Sequence, residues 1–184
     1  MRYWFDTEFI EDGRTIDLIS IGIVAQDGRE YYAVNWNCEL EKASGWVKEN
    51  VISQLPPRND PAWKTKDAIA FDVMGFLKNE KEEALHRHTF ESLKNLKIEG
   101  KPEIWAYYAD YDWVCFCQLF GTMMDLPKGF PMYCRDIKQW SNYLGNPELP
   151  IQGEGEHNAL ADAKWNKTAW EFLDEYETKV LYWF

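Results

Sequence analysis

The sequence predicts a single α/β layered domain over residues 1–184, with a mixed five-stranded sheet opened by an antiparallel meander and flanked by helices. Three observations carry this. Three β-patterned segments come first, two of them joined by the tight-turn pair Asp27-Gly28. Strand-patterned and helix-patterned segments then alternate to the end of the chain. No internal repeat, low-complexity tract or linker divides it.

The first strand is expected over Arg2 to Phe9 and the second over Asp17 to Ala25, rich in Ile, Leu and Val. The third follows at Glu30 to Asn35. The stretch from Lys42 to Gly100 is polar and expected to be helical, interrupted by Pro56, Pro57 and Pro61. Within it, Ile69, Val73, Phe76 and Leu77 fall at helical spacing, giving a helix over Lys66 to Leu77. A strand at Glu103 to Tyr108 leads into a helix at Trp113 to Met124. A short strand at Pro131 to Cys134 precedes a helix at Ile137 to Leu144. Pro147, Pro150, Gly153 and Gly155 mark a loose loop before a last helix from Ala159 to Glu177, with Asn158 as its cap.

Composition narrows the class. The chain is 46% hydrophobic, with ten each of Trp, Tyr and Phe to fill a core. No apolar run approaches the roughly 18 residues of a membrane span, and the first residues lack the apolar region of a secretory signal. A cytoplasmic protein with no membrane partner is expected. Cys38, Cys115, Cys117 and Cys134 form no CxxC pair, so buried free thiols are expected in preference to a zinc site. Twenty basic residues against 31 acidic ones give a net charge of −11. That argues against nucleic acid unless some carboxylates hold cations, which reverse the local field. A modest, salt-sensitive affinity or a local basic patch hidden by the total is the consequence.

The carboxylates are placed unevenly. Asp6 and Glu8 are two apart on the first strand, so both side chains share one face. Acidic groups on an otherwise aromatic strand are costly unless a hard cation compensates them; a solvent-exposed strand end is the competing reading. Asp162, Trp165, Ala169, Phe172 and Tyr176 lie within an arc of about 80° on the last helix, so a carboxylate heads its buried stripe. A dipole-stabilised acid accounts for its position near the helix start but not for that face. His157 lies in the preceding loop, with Glu154 and Glu156 beside it. Asp110 and Asp112 open the helix after the Glu103 strand, where capping competes with a metal role.

These residues stand in three motifs: Phe5-Asp6-Thr7-Glu8-Phe9, Ala109-Asp110-Tyr111-Asp112-Trp113, and His157-Asn158-Ala159-Leu160-Ala161-Asp162. In this order and on these elements, the chain resembles the DEDDh family of 3′-to-5′ exonucleases, which share an RNase H-like fold. It is most similar to small single-domain exoribonucleases of bacteria and phages, which open with a near-identical segment through Phe9-Ile10-Glu11-Asp12-Gly13 and carry the Tyr111-Asp112 and Cys117-Gln118-Leu119 stretches. The likeness covers most of the chain and is weakest from Asn59 to Gly100.

The resemblance implies two divalent cations, Mg2+ or Mn2+. Asp6 would bridge them, Glu8 and Asp162 would complete the first site, and Asp112, with Asp110 as its rival, would hold the second. His157 would take the proton from the attacking water. It also implies 3′-to-5′ polarity, RNA in preference to DNA, and a homodimer, for which the aromatic tail Leu181 to Phe184 is one conceivable contact. Phe9 could stack on a terminal base or pack in the core, and Thr7 and Glu8 could meet the terminal sugar through their backbone. The alternatives are a 3′-to-5′ DNA exonuclease, an inactive nucleic-acid-binding module of the same fold, and an interaction protein whose acids are only a solvated face.

Overall fold

The computed structural model describes residues 1–80, 82–98 and 100–181. Its sheet has six strands in the order β4-β3-β2-β1-β5-β6. The meander forms as expected from β1 (Arg2–Glu11), β2 (Ile16–Ala25) and β3 (Glu30–Asn35). Gly28, at φ 90°, supplies the left-handed backbone that the β2–β3 turn needs. The sixth strand is β4 (Trp63–Lys64), parallel to β3 and inside the stretch read as helical. Two residues after three nearby prolines carry too little periodicity to announce a strand.

The rest of the middle is helical: α1 (Gly45–Asn50), α2 (Lys66–Lys78), α3 (Glu82–Leu85) and α4 (Phe90–Asn95). Helix α2 starts at a Thr65 cap and stops at Asn79, held left-handed at φ 59°. Strand β5 (Glu103–Ala106) runs parallel to β1 and ends two residues before the expected Tyr108. Tyr108 itself has φ 56°, which no strand tolerates.

Helix α5 spans Asp110–Gln118, earlier than expected at both ends. Its first bond runs from the Trp113 N–H to the Ala109 carbonyl, and Gly121 at φ 119° with the Thr122 cap opens a separate turn. The expected strand at Pro131–Cys134 is instead β6 (Arg135–Asp136). Pro131 has no N–H to donate, and a turn from Pro127 to Phe130 delays the chain's arrival beside β5. Helix α6 is Ile137–Tyr143, and α7 continues to Leu181, beyond the expected Glu177. Of the tail proposed as a contact, Tyr182 to Phe184 lie outside the described residues.

Two apolar layers sandwich the sheet. Tyr3 and Phe5 of β1 join Ile21, Ile23, Ile69, Val73 and Phe116 on the α2 and α5 side. Trp4 points the other way, against Trp170, Ala169 and Leu173 of α7. Alternation therefore turns Asp6 and Glu8 toward α7.

Helix α7 lies unusually close to the sheet. Gly22, directly opposite Asp6 in the β1–β2 register, faces its first turn, and a Cβ there would sit 2.3 Å from the Ala159 carbonyl oxygen. Farther along, buried Asn166 donates its side-chain N–H to the Phe5 carbonyl at 2.9 Å. Gly22→Ala is expected to destabilise the fold by about 1–3 kcal/mol, since neither backbone can retreat without opening the layer. Denaturant unfolding checks this; an unchanged midpoint would mean the helix start is free to lift.

Candidate active site

Four carboxylates converge on residues 6–8 of β1. Asp6, Glu8 and Asp162 each offer an oxygen, and these oxygens lie within 4.8 Å of one another. The strand supplies the first two from one face. The third comes from α7, whose start is fixed by Asn158: its side-chain oxygen accepts from the Leu160 and Ala161 N–H groups at 3.2 Å each. Between Glu8 and Phe9 a register shift against β2 ends the regular alternation just after the last ligand candidate.

Asp112 arrives from α5 on the other flank. Strand β5 pairs with β1 only over Arg2, Tyr3 and Trp4, so the Thr7 N–H on that edge faces no strand. The Asp112 carboxylate accepts it at 2.8 Å and accepts the Thr7 hydroxyl at 2.6 Å. Asp112 is buried and Asp110 is exposed, so Asp112 is the one of the pair that meets the site. Thr7 is thereby engaged through both its N–H and its hydroxyl.

The electrostatics are those of crowded anions. The Asp6 carboxyl is held well above the usual carboxylate range, by burial first and then by Asp112, Asp162 and Glu8. Burial, followed by repulsion from Asp162, pushes Glu8 up to about 8. Burial raises Asp112 to about 6, against the lowering effect of the Thr7 hydrogen bonds. Burial also raises Asp162, opposed chiefly by the Gln152 side-chain amide, which donates to it.

His157 shares a cleft of about 300 Å³ with Asp6, Asp162, Gln152, Tyr107 and Trp165. Its backbone has φ 67°, a left-handed conformation that histidine adopts more readily than most residues. Its ring meets the exposed Trp46 edge-on at 4.8 Å between centroids. Phe9 packs partly into the core and also against exposed Tyr111 at 5.7 Å.

Several neighbours are invisible to motif reading. Ser20 stands directly opposite Glu8, and its buried hydroxyl lies near that of Tyr32, the residue opposite Gly22; among the described residues neither makes a hydrogen bond of ordinary geometry. Gln152 and Trp46 come from loop and helix segments with no sequence signal. Gly22 had one: an isolated glycine within a β-branched strand marks close backbone approach.

The donor set is all oxygen, half-buried and strongly self-repelling, which fits hard divalent cations. Asp6, Glu8 and Asp162 are the residues that would hold such an ion.

A family model described as the 3′-5′ exoribonuclease Rv2179c-like domain matches residues 1–173. Two proteins of Mycobacterium tuberculosis, 3′-5′ exoribonuclease Rv2179c of strain H37Rv and 3′-5′ exoribonuclease MT2234.1 of strain CDC 1551, are each 40% identical to it over 164 residues. The matches cover 89% of this chain and 88% of each relative.

A raised carboxyl keeps in the folded state a proton that the unfolded chain releases, so stability falls as pH climbs through that window. For Glu8 the window runs from 4.5 to about 8. The EDTA-treated protein is expected to lose thermal stability steadily across it, and Mn2+ added at the upper end is expected to restore the loss. A melting temperature flat with pH and indifferent to Mn2+ would contradict this.

Proposed function

This chain belongs to the Rv2179c-like 3′-5′ exoribonuclease domain family, and on that footing we propose that it hydrolyses RNA from the 3′ end, releasing nucleoside 5′-monophosphates, in an RNase H-like domain. The observation that carries the proposal is the convergence of Asp6, Glu8 and Asp162, with His157 in the same cleft. The expected localisation is the cytoplasm. Four free cysteines suit a reducing compartment, and among the described residues no helix is long and apolar enough to cross a membrane.

In this proposal, which takes its roles from the family likeness, Asp6 would be shared by two divalent cations, Mg2+ or Mn2+. Glu8 and Asp162 would complete one ion's coordination, and Asp112 would serve the other, partly through water. Such cations, when bound, would supply Lewis-acid charge for phosphodiester displacement. His157 reaches over the cleft and accepts the proton of the attacking water, while Trp46 limits the ring's swing. Phe9 and Tyr111 offer an aromatic surface at the Glu8 side of the site, suited to a terminal base. A homodimer is part of the same proposal and rests on family likeness alone; sedimentation equilibrium tests it.

The test is degradation of 5′-labelled RNA and DNA, blunt and 3′-overhanging, with and without EDTA. A ladder shortening from the 3′ end on RNA, abolished by EDTA, is expected. Preferential degradation of DNA would favour the exodeoxyribonuclease reading, and binding without cleavage would favour an inactive module. His157→Ala is expected to lower kcat by about 10²–10⁴-fold with Mn2+ affinity, read by calorimetry, unchanged. Equal loss of both would recast His157 as part of the metal site.

A further inference from the structure

The chain carries a net charge of −11, yet one groove on it is basic. A cavity of about 690 Å³ runs along the β6 edge, lined by Lys97, Lys101, Lys128 and Arg135. The three lysines are exposed, and among the described residues none of the four makes a salt bridge. Glu103, which also lines the groove, is paired with Arg2 at 3.4 Å.

The groove is held in shape from beneath. Lys78, 7% exposed, donates to the Leu96 carbonyl on one wall and to the Lys128 carbonyl on the other, at 3.3 Å for the latter. The Lys128 N–H reaches back to the Lys94 carbonyl at 3.1 Å. Gly129, at φ 91°, sits so close to Ile98 that a Cβ would lie 2.3 Å from its Cγ2. Two segments more than 30 residues apart in sequence are thus clamped, so the lysine heads project from fixed walls.

Its lysine wall stands over Ile98, Ile104 and Phe130 on the α2 and α5 side of the sheet, whereas Arg135, at the β6 edge, faces the carboxylate side by sheet register. Trp4 of β1 pairs with Trp105 of β5, which pairs with Arg135 of β6. Paired residues share a face, so Arg135 stands on the Asp6 side of the sheet. Two residues of strand rise and two strand spacings separate Asp6 from Arg135, about 12 Å. The Arg135 guanidinium lies over the Trp105 and Tyr133 rings, 5.4 and 5.7 Å from their centroids, and Tyr133 is 58% exposed. Between them Tyr107 walls the cleft, with exposed Tyr108 against it at 4.8 Å.

We propose that this groove binds the phosphodiester backbone of a single RNA strand upstream of the 3′ end held at the carboxylates. The inference rests on the exoribonuclease reading above. It makes substrate length a property of the groove: a dinucleotide engages the cleft alone, whereas a longer strand passes Tyr107 and Tyr108 and reaches Arg135 and the lysines. Cations that pair with no acid among the described residues, beside stackable aromatics, are the arrangement that single strands need.

The test compares wild type with a Lys97→Ala, Lys101→Ala, Lys128→Ala triple variant on diuridylate and on a fluorescein-labelled dodecauridylate. In the Mg2+ assay the variant is expected to show a raised KM for the dodecamer and unchanged kcat/KM for the dimer. Binding of the dodecamer in EDTA, read by anisotropy against salt, is expected to weaken, with the log–log salt slope flatter by about two. A Lys42→Ala, Lys179→Ala control, removing lysines already paired with Glu39 and Glu175, is expected to leave that slope in place. Equal effects on both lengths, or an unchanged slope in the triple variant, overturns the proposal. Failure of wild type to cleave either RNA instead refutes the exoribonuclease reading, while the EDTA binding data still decide whether the groove holds RNA.

Discussion

The closeness of α7 to β2 at Gly22 is the constraint from which the rest of the site follows. A helix ordinarily stands off a sheet by the thickness of its side chains. Here its first turn rests on bare backbone, and only that approach lets Asp162 reach the oxygens of Asp6 and Glu8. The clamp is extended by Asn166 on the Phe5 carbonyl and by the Trp165 indole N–H, which donates to the Pro150 carbonyl at 2.9 Å and ties down the loop that carries Gln152. Farther along, Trp4, Trp105, Trp140 and Trp170 pack against one another between the sheet and the helices.

Holding four acids together opposes folding, and the fold answers with two kinds of support. Neutral donors, Thr7 on Asp112 and Gln152 on Asp162, absorb part of the charge from the outside. The apolar layers on both sheet faces supply the stability against which the remaining repulsion is set. Divalent cations would relieve that repulsion. This division explains why the carboxylates sit where an aromatic strand meets a helix start, and not on a loop that could simply open.

The meander, the Lys66 helix, the Asn158 cap and the placement of Asp6, Glu8 and Asp162 were legible because each is written in local spacing: period two on β1, helical period on α7, and a turn dipeptide between β2 and β3. β4 was not, because two residues cannot show a period. The β6 boundary was displaced because proline and glycine fix where a chain turns but not where it next finds a partner. Local spacing alone could not separate Asp112 from Asp110, since both suit a helix start; only Asp112 is buried and accepts the Thr7 N–H that no strand takes up. Gln152, Trp46 and the buried Ser20 and Tyr32 hydroxyls are products of tertiary approach and left no trace in local pattern.

The short reach of β5 has a further consequence. Past Trp4, one edge of β1 has no strand beside it among the described residues, and a bare edge invites pairing with another chain. Asp112 is what occupies that edge, with its charge and with the bonds that use up the Thr7 donors. The same side chain is therefore a candidate ligand and a guard against aggregation. Replacing it with alanine removes both at once, so an insoluble Asp112→Ala protein says little about metal, whereas Asp162, on the covered face, can be changed without uncovering a strand.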